Sequence, residues 1–312
     1  MFNDSNTPGS YTKEVKQWLN KRFAATDKSG RYFSHEPIYG YADGPSEPDR
    51  LSRLSRTYQI IQVVNRLDFK SFVDIGGAEG YWSNIIRHLF RVPCLTCDLS
   101  CQANLMARLL YGVDGVTLDI DQIPIRDGMF DLVMCSETLE HVPDPVHAVR
   151  ELSRVSRKYV LITTPLARTD EKRKEYLRLT EQDHQPHRHL HYFTKQDLAC
   201  LLGKDAFVKG LRSIGIHPLL LELDKVSLKR RGSVPEHFVN FALRLDSAFA
   251  RTFRGYTRDV LALKGLNGHS VRDLEAREAK LDVGTILRFL VRENRISPEK
   301  VAEELRKIDR AS

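Results

Sequence analysis

Phe72-Val-Asp-Ile-Gly-Gly-Ala-Glu-Gly80 is the stretch that decides the fold of this 312-residue chain. It begins with a short apolar run that contains one acid, Asp74, and it ends in a segment with three glycines, Gly76, Gly77 and Gly80. A buried strand that turns tightly into a helix has this pattern. Small residues at such a turn allow backbone N–H groups to approach a charged ligand closely. The stretch therefore predicts a strand, a turn and a helix that together bind a ligand.

The alternation of strands and helices continues on both sides of this stretch. Periodicity predicts helices over residues 12–24, 50–67, 81–91, 100–111, 145–155 and 194–202, and strands over residues 71–75, 94–98, 115–119, 130–136 and 159–164. Residues 216–223 are apolar enough for a late antiparallel strand pair, whereas residues 235–312 show only helical periodicity. Strands that alternate with helices of about ten residues indicate right-handed crossovers and a parallel sheet. We therefore predict a doubly wound α/β domain.

Composition excludes several classes of protein. Apolar residues make up 41% and charged residues 29% of the chain, and the sequence contains no long uncharged apolar window, so we expect no membrane span. The N-terminal residues lack the pattern of a secretory signal, and five cysteines, an odd number, argue against a disulfide framework. We expect a cytoplasmic protein. The net charge of +7 arises in the second half, which fits either an anionic partner or a solvated helical surface.

The spacing of the glycines narrows the ligand class. A dinucleotide fingerprint has glycines at relative positions 0, 2 and 5, whereas Gly76, Gly77 and Gly80 occupy positions 0, 1 and 4. Asp98 follows Gly80 by 18 residues, at the end of the second predicted strand. A carboxylate there can accept hydrogen bonds from both ribose hydroxyls. The pattern thus favours a nucleoside ligand without a pyrophosphate.

These segments resemble those of class I S-adenosylmethionine-dependent methyltransferases, over roughly residues 55–210. In that family a strand ending Asp-x-Gly-x-Gly-x-Gly holds the methionine end of the cofactor, and an acid after strand two holds its ribose. Leu118-Asp-Ile-Asp-Gln-Ile-Pro124 resembles the stretch whose acid meets the adenine amine, and residues 127–145 resemble the fourth-strand signature of the small-molecule branch. Ala78 departs from the family pattern, because it replaces the middle glycine.

The resemblance implies a Rossmann-like methyltransferase fold with a mostly parallel sheet of seven strands and helical additions at both ends. It also implies a set of residues that bind S-adenosylmethionine. They are Asp74, Gly76, Gly77, Gly80, Asp98, Leu99, Asp119, Ile120 and Ser136.

Glu137, Glu140 and His141 have the spacing of one helical face and are candidate ligands for a divalent metal. The element resembles the metal-binding element of ubiquinone-pathway O-methyltransferases and of enzymes that methylate the 3′-terminal 2′-hydroxyl of small RNAs. The latter also use a later histidine, and His189 is similar in placement. A metal could lower the pKa of an acceptor hydroxyl. In many metal-free relatives, however, the acid caps local backbone and the histidine packs beside the cofactor.

Four histidines lie within eight residues, and two of them are further candidates for chemistry. His189 and His191 are predicted to act as acid or base groups beside Glu140 and His141, the other candidate catalytic residues. The alternative is a structural joint in which Thr194 caps the next helix.

We expect the chain to methylate a hydroxyl of a small molecule such as a natural product, a sugar or a quinol. Two alternatives stay open: a metal-assisted RNA ribose 2′-O-methyltransferase and a non-catalytic binding protein with a cofactor fold. Residues 1–50 are predicted to form an irregular lead-in or lid, residues 51–230 the core with a lid insertion at 165–195, and residues 235–312 a helical extension. The extension is a candidate interface for a homodimer.

Overall fold

The computed structural model describes residues 8–25, 48–183, 185–213, 241, 244–245, 256–290 and 303. The helices are α1 (Pro8–Ala24), α2 (Pro48–Val64), α3 (Tyr81–Phe90), α4 (Cys101–Tyr111), α5 (Pro145–Val155), α6 (Asp170–Thr180), α7 (Lys195–Leu202) and α8 (Val283–Arg288). The strands are β1 (Phe72–Ile75), β2 (Cys94–Asp98), β3 (Gly115–Thr117), β4 (Phe130–Ser136), β5 (Ser156–Pro165), β6 (Phe207–Ser213) and β7 (Tyr256–Gly265). Short 3-10 turns lie at Leu139–His141 and Leu274–Ala276.

The strands form one sheet of seven, in the order β3-β2-β1-β4-β5-β7-β6. β1 pairs in parallel with β2 and β4, and the parallel pairing extends to β3 on one side and β5 on the other. The strand order reverses at β1 and β4, so their carboxyl ends flank the crevice in which such sheets bind ligands. The predicted doubly wound, mostly parallel fold is confirmed.

The core of the sheet explains why these sequences form strands. Every side chain of β1 is buried, as are five consecutive residues of β4, because helices cover both faces of a parallel sheet. One large cluster joins Val73, Val133 and Ile162 of the central strands to Leu152 of α5. Burying residues of this kind stabilises the fold by about 1.5–3 kcal/mol each. The central strands thereby hold the carboxyl edge of the sheet in a fixed position.

The chain divides into two compact units. The first comprises Met1–Ala25, Phe69–Lys209 and Val260–Arg272, and it contains α1, β1 to β5 and α3 to α7. The second comprises Thr26–Asp68, Gly210–Asp259 and Asp273–Ser312. Within the second unit the side-chain amide of Asn65 donates to the carbonyl of Leu281 at 2.8 Å and its oxygen accepts from the Leu281 N–H at 2.9 Å. The predicted domain boundaries at residues 50, 230 and 235 stay predictions.

One prediction about the C-terminal segment is wrong. Periodicity predicts only helices in residues 235–312, but Tyr256–Gly265 forms β7, and its residues from Val260 to Leu263 are completely buried. A short buried run lacks the alternation that marks a half-buried strand, which is why the pattern did not reveal it. The predicted strand pair at 216–223 lies outside the described residues. No helix among the described residues is long and apolar enough to cross a membrane.

Candidate active site

The turn between β1 and α3 is packed so tightly that its first two positions exclude side chains. A Cβ atom on Gly76 would overlap the side chain of Thr138, and one on Gly77 would overlap that of Thr96. The N–H groups of both glycines donate to the carbonyl of Cys97, at 2.7 and 2.9 Å. Gly76 also has a left-handed φ of 76°, which strains any residue with a Cβ. The packing and the backbone conformation of this turn therefore require glycine at positions 76 and 77.

Ala78, the departure from the family pattern, helps to position Asp98. Its φ of 48° is left-handed, and its N–H donates to Oδ2 of Asp98 at 3.0 Å. Oδ1 of Asp98 accepts from the N–H of Ser100 at 2.8 Å. Two backbone donors thus fix the plane of the Asp98 carboxylate at the end of β2. Leu99 lies between Asp98 and Ser100 and packs beside an apolar cluster of α1. We call residues 74–80 and 98–100 the cofactor cradle.

Asp74 carries the strongest sign that the cradle holds a cation or a hydrogen-bond donor. Its side chain is completely buried, and neither carboxylate oxygen has a hydrogen-bond partner among the residues that the structure describes. Burial, together with the nearby charge of Asp98, raises the pKa of Asp74 to about 8. A buried polar group of this kind is costly unless a ligand satisfies it. The ammonium group of S-adenosylmethionine has the right charge, so the residues present fit this cofactor.

The predicted adenine acid lies at a cavity of about 690 Å³. The Asp119 carboxylate accepts from the N–H of Asp121 at 3.0 Å, which orients it in the loop after β3. Ile120, beside it, packs against the core. The cavity is lined by Thr12, Lys13, Lys16, Asp119, Asp121, Gln122, His147 and Glu151. The cavity therefore joins the adenine acid to residues of α1.

Ser136, at the end of β4, belongs to a chain of hydrogen bonds whose direction is determined by its two ends. The indole N–H of Trp82 can only donate, and it binds the hydroxyl oxygen of Ser136 at 3.2 Å. The Ser136 and Thr163 hydroxyls are 2.7 Å apart, and Thr163 donates to Oε1 of Glu137 at 3.1 Å. Glu137 itself has a left-handed φ of 54°. This series of hydrogen bonds therefore holds Glu137 against β5.

Three of the four predicted metal ligands lie together. Glu140, His141 and His189 each offer a ligand atom, and these atoms lie within 4.8 Å of one another. Glu140 is 1% exposed, and its Oε2 accepts from the Thr164 hydroxyl at 3.1 Å. Glu137, the fourth predicted ligand, is not part of this group. Two nitrogens and a carboxylate are donors that divalent transition metals accept, so the three residues present fit such an ion.

His141 is held as a neutral imidazole. Its Nδ1 lies 3.0 Å from the carbonyl of Arg188, and because a carbonyl can only accept, Nδ1 carries the proton and Nε2 offers a lone pair. Burial, together with the neighbouring His187 and His189, lowers the pKa of His141 to about 2. Burial also lowers the pKa of His189. A lone pair of this kind suits a ligand or hydrogen-bond acceptor better than a general base.

Residues 186–194, which we call the histidine joint, contain both predicted features of this segment. Thr194 and Asp197 form a capping box at the start of α7. The N–H groups of Leu190 and His191 donate to the backbone carbonyl of Glu140, at 2.7 and 3.0 Å. Nε2 of His191 is buried and has no partner among the described residues, so its acid or base role stays a prediction. His184 lies outside the described residues.

Sequence reasoning missed residues that connect α1 to this site. The Trp18 ring stacks on His187 at 5.5 Å between centroids, and His187 stacks on His141 at 3.8 Å. The Tyr11 hydroxyl donates to the carbonyl of Pro186 at 3.3 Å. Residues 11 and 18 lie more than 120 positions from His141 along the chain, and their types are ordinary on an amphipathic helix. No local pattern could have placed them here.

Comparison with known proteins identifies the family of the chain. Residues 14–206, more than half of the chain, match the family described as a methyltransferase domain. Ubiquinone biosynthesis O-methyltransferase from Bordetella parapertussis is 28% identical over 113 residues, which are 34% of this chain and 46% of the relative. The protein of the same name from Bordetella bronchiseptica is 29% identical over 104 residues, 31% of this chain and 43% of the relative. The chain thus spans less than half the length of these relatives.

A solved structure shares the fold. The geranyl diphosphate C-methyltransferase from Streptomyces coelicolor superposes with a TM-score of 0.51 at 13% identity, covering 84% of this chain and 99% of that one. That structure is a complex with Mg²⁺, a geranyl thiolodiphosphate and S-adenosyl-L-homocysteine. At this level of identity the likeness supports the fold alone.

Proposed function

The chain belongs to the methyltransferase domain family, of the class I S-adenosylmethionine-dependent type, and we propose that it methylates a hydroxyl oxygen of a small molecule. The observation that carries the cofactor part of the proposal is Asp74, a buried carboxylate without a hydrogen-bond partner among the described residues, beside a turn that excludes side chains. The weak likeness to two ubiquinone biosynthesis O-methyltransferases supports oxygen as the methylated atom. A quinol, a sugar or a natural product has a suitable hydroxyl.

The cradle and its surroundings supply the cofactor contacts. When bound, S-adenosylmethionine supplies an electrophilic methyl group on a sulfonium. Asp74 faces its ammonium, Asp98 accepts from its ribose hydroxyls and Asp119 meets its adenine amine. Gly76, Gly77 and Gly80 allow close approach of the backbone, Leu99 and Ile120 provide apolar contact, and Ser136 lies at the end of β4 beside the cradle. This arrangement fixes the direction in which an acceptor must approach.

Glu140, His141 and His189 form the acceptor side of the site. Transfer to oxygen requires that the hydroxyl be aligned with the methyl group and that its proton be removed or weakened. Nε2 of His141 accepts a hydrogen bond from the hydroxyl, because Nδ1 is committed to the Arg188 carbonyl. Because a hydroxyl has one proton, an acceptor whose hydroxyl points at Glu140, His189 or His191 instead of His141 gives its proton to that group.

A second candidate is metal-assisted methylation of a ribose 2′-hydroxyl in RNA, and the grouping of Glu140, His141 and His189 favours it. These residues would hold a divalent metal, which lowers the pKa of a hydroxyl when bound. EDTA followed by Mg²⁺ or Mn²⁺ tests the metal in a transfer assay. An RNA with a 3′-terminal diol, compared with the same RNA lacking the 2′-hydroxyl, tests the acceptor. Activity on small molecules that resists EDTA would contradict this candidate.

Calorimetry with S-adenosylhomocysteine tests the cofactor assignment. We expect binding to the wild-type chain and a loss of about 10- to 100-fold in Asp98→Ala, the value of hydrogen bonds to a charged group. Asp114→Ala removes the same charge from an exposed position and should leave the affinity unchanged. Absence of binding to the wild-type chain would favour the non-catalytic alternative.

The acceptor needs a separate experiment. The chain is incubated with methyl-labelled S-adenosylmethionine and panels of quinols, sugars and phenolic natural products, and products are identified by mass spectrometry. We expect a methyl ether, and products methylated only on nitrogen or carbon would contradict the proposal. A cytoplasmic location and a homodimer formed through residues 235–312 stay predictions, which fractionation and sedimentation measurements can test.

A further inference from the structure

Asn20 on α1 makes contacts that reveal the orientation of its side-chain amide. One side-chain atom accepts from the Ser100 hydroxyl at 2.7 Å, from the N–H of Gln102 at 3.4 Å and from the thiol of Cys101 at 3.5 Å. A backbone N–H can only donate, so the atom that faces Gln102 must be the carbonyl oxygen, Oδ1. The amide nitrogen, Nδ2, therefore points away from the start of α4.

Nδ2 of Asn20 makes no hydrogen bond to the residues that the structure describes, whereas Oδ1 accepts from three donors. Asn20 is only partly exposed. Partly buried amides seldom leave both N–H groups without a partner unless water or a ligand accepts from them. The Oδ1 atom of Asn20 is thus fixed by protein donors, while the Nδ2 atom can donate to a ligand.

The hydrogen bonds to Oδ1 place Asn20 beside Asp98, the predicted ribose acid. Ser100 connects the two, because its hydroxyl donates to Asn20 while its N–H holds Oδ1 of Asp98 at 2.8 Å. The apolar face of α1 also packs next to Asp98. Leu19 lies in a cluster with Ala103 of α4, and Leu99 packs against that cluster. Asn20 therefore lies close to a carboxylate that we assign to the ribose hydroxyls.

A second, independent feature places α1 along the nucleoside. Lys13, Lys16 and Asn20 recur at three- and four-residue spacing, so they share one face of α1. Lys13 and Lys16 line the cavity of about 690 Å³ that contains Asp119, the predicted adenine acid. The face that carries Asn20 thus reaches from the ribose end of the site to the adenine end.

We propose that Asn20 is a cofactor-binding residue, whose Nδ2 donates a hydrogen bond to the ribose of the nucleoside, and that α1 forms the outer wall of the nucleoside pocket. This inference rests on the proposed binding of S-adenosylmethionine. It assigns a cofactor contact to a helix 78 residues before Asp98, outside every motif of the sequence.

Asn20→Asp tests the role of Nδ2 separately from that of Oδ1. The carboxylate still accepts hydrogen bonds from Ser100 and Gln102, at the N-terminus of α4, where negative charge is favoured. It cannot, however, donate a hydrogen bond to the ribose. Calorimetry should show about a tenfold weaker Kd for S-adenosylhomocysteine. 5′-Methylthioadenosine, which keeps the nucleoside and lacks the amino acid, should lose affinity by the same factor. Gln17→Glu makes the same amide-to-acid change at an exposed position of α1 and should change neither Kd.

The outcomes distinguish this inference from the proposed function. Wild-type binding with unchanged affinity in Asn20→Asp overturns the role of Asn20 and leaves the cofactor assignment intact. A loss confined to S-adenosylhomocysteine also overturns it, because the ribose is common to both ligands. Failure of the wild-type chain to bind either ligand overturns both proposals. If Asn20→Asp melts below the wild-type temperature, Asn20→Ser replaces it, and an unchanged Kd for both ligands in that variant likewise overturns the role.

Discussion

The cofactor cradle and the histidine joint both border the candidate site, but they are built in different ways. The cradle lies within 27 residues of sequence, and backbone hydrogen bonds from the glycine turn and from Ser100 determine its shape. In the joint, by contrast, side chains from three distant segments stack on one another: Trp18 of α1, His141 of the 3-10 turn and His187. The glycine turn of the cradle therefore requires positions without a side chain, whereas the joint requires stacked rings.

The two regions should therefore tolerate different substitutions. An added Cβ in the cradle has no space, because Thr138 and Thr96 already occupy it. A ring in the joint can be replaced by another flat ring, because stacking depends on the area and planarity of the ring more than on a particular atom.

Gly76→Ala should abolish cofactor binding. The added Cβ overlaps Thr138 and the left-handed φ is strained, so the turn must move away from the ligand. We expect at least a hundredfold weaker Kd for S-adenosylhomocysteine in calorimetry. Gly112→Ala is the matched control, because Gly112 also has a left-handed φ, 62°, but an added Cβ would meet no atom within 4 Å. It should lose about 1 kcal/mol of stability and keep its affinity. Equal losses of affinity would remove the contrast.

Asp74→Asn should trade affinity for stability. The folded pKa of Asp74, about 8, lies above its unfolded value, so the contribution of this group to stability is present at low pH and is lost as pH rises toward 8. The slope is at most about 1.4 kcal/mol per pH unit for one proton. In urea unfolding without ligand, Asp74→Asn should lack this decline, while its affinity for S-adenosylhomocysteine falls. A parallel decline in both proteins would show that Asp74 does not titrate in this way.

His187→Ala should slow turnover without loosening the cofactor. Its ring lies between Trp18 and His141, so its loss leaves His141 without its stacked partner, whereas α1 keeps its contacts to Ser100 and Leu99 beside the cofactor. We expect kcat to fall about tenfold with KM for S-adenosylmethionine nearly unchanged. His187→Phe keeps a flat ring and should recover most of the rate. If the phenylalanine variant is as slow as the alanine variant, stacking is not what the joint requires.

Thr194→Ala should have the smallest effect. Its hydroxyl accepts from the N–H of Asp197 at 3.2 Å in the capping box of α7, and such caps contribute about 1 kcal/mol. Thermal unfolding should show that loss, and Thr194→Ser should restore it. A fall in cofactor affinity, with stability unchanged, would mean that Thr194 belongs to the site and not to the helix.

The sequence predicts the cradle well because its information is local. Glycine spacing, an acid at the end of β1 and another at the end of β2 follow from the strand and helix periods, and the structure has β1, β2 and β4 within one or two residues of the predicted bounds. The strand β7 was missed because its buried apolar run lacks the alternation that marks a half-buried strand. The roles of Trp18 and Thr163 were missed for another reason, since each acts through a contact that only the fold creates.

A crystal structure of the chain with S-adenosylhomocysteine is the decisive test of nucleoside binding at the carboxyl edge of this sheet. We expect the ribose hydroxyls to contact the Asp98 carboxylate, the ammonium to lie against Asp74 and the adenine amine to meet Asp119. A well-diffracting soaked crystal with no density there, or with the nucleoside bound elsewhere, would show that the cofactor assignment is wrong.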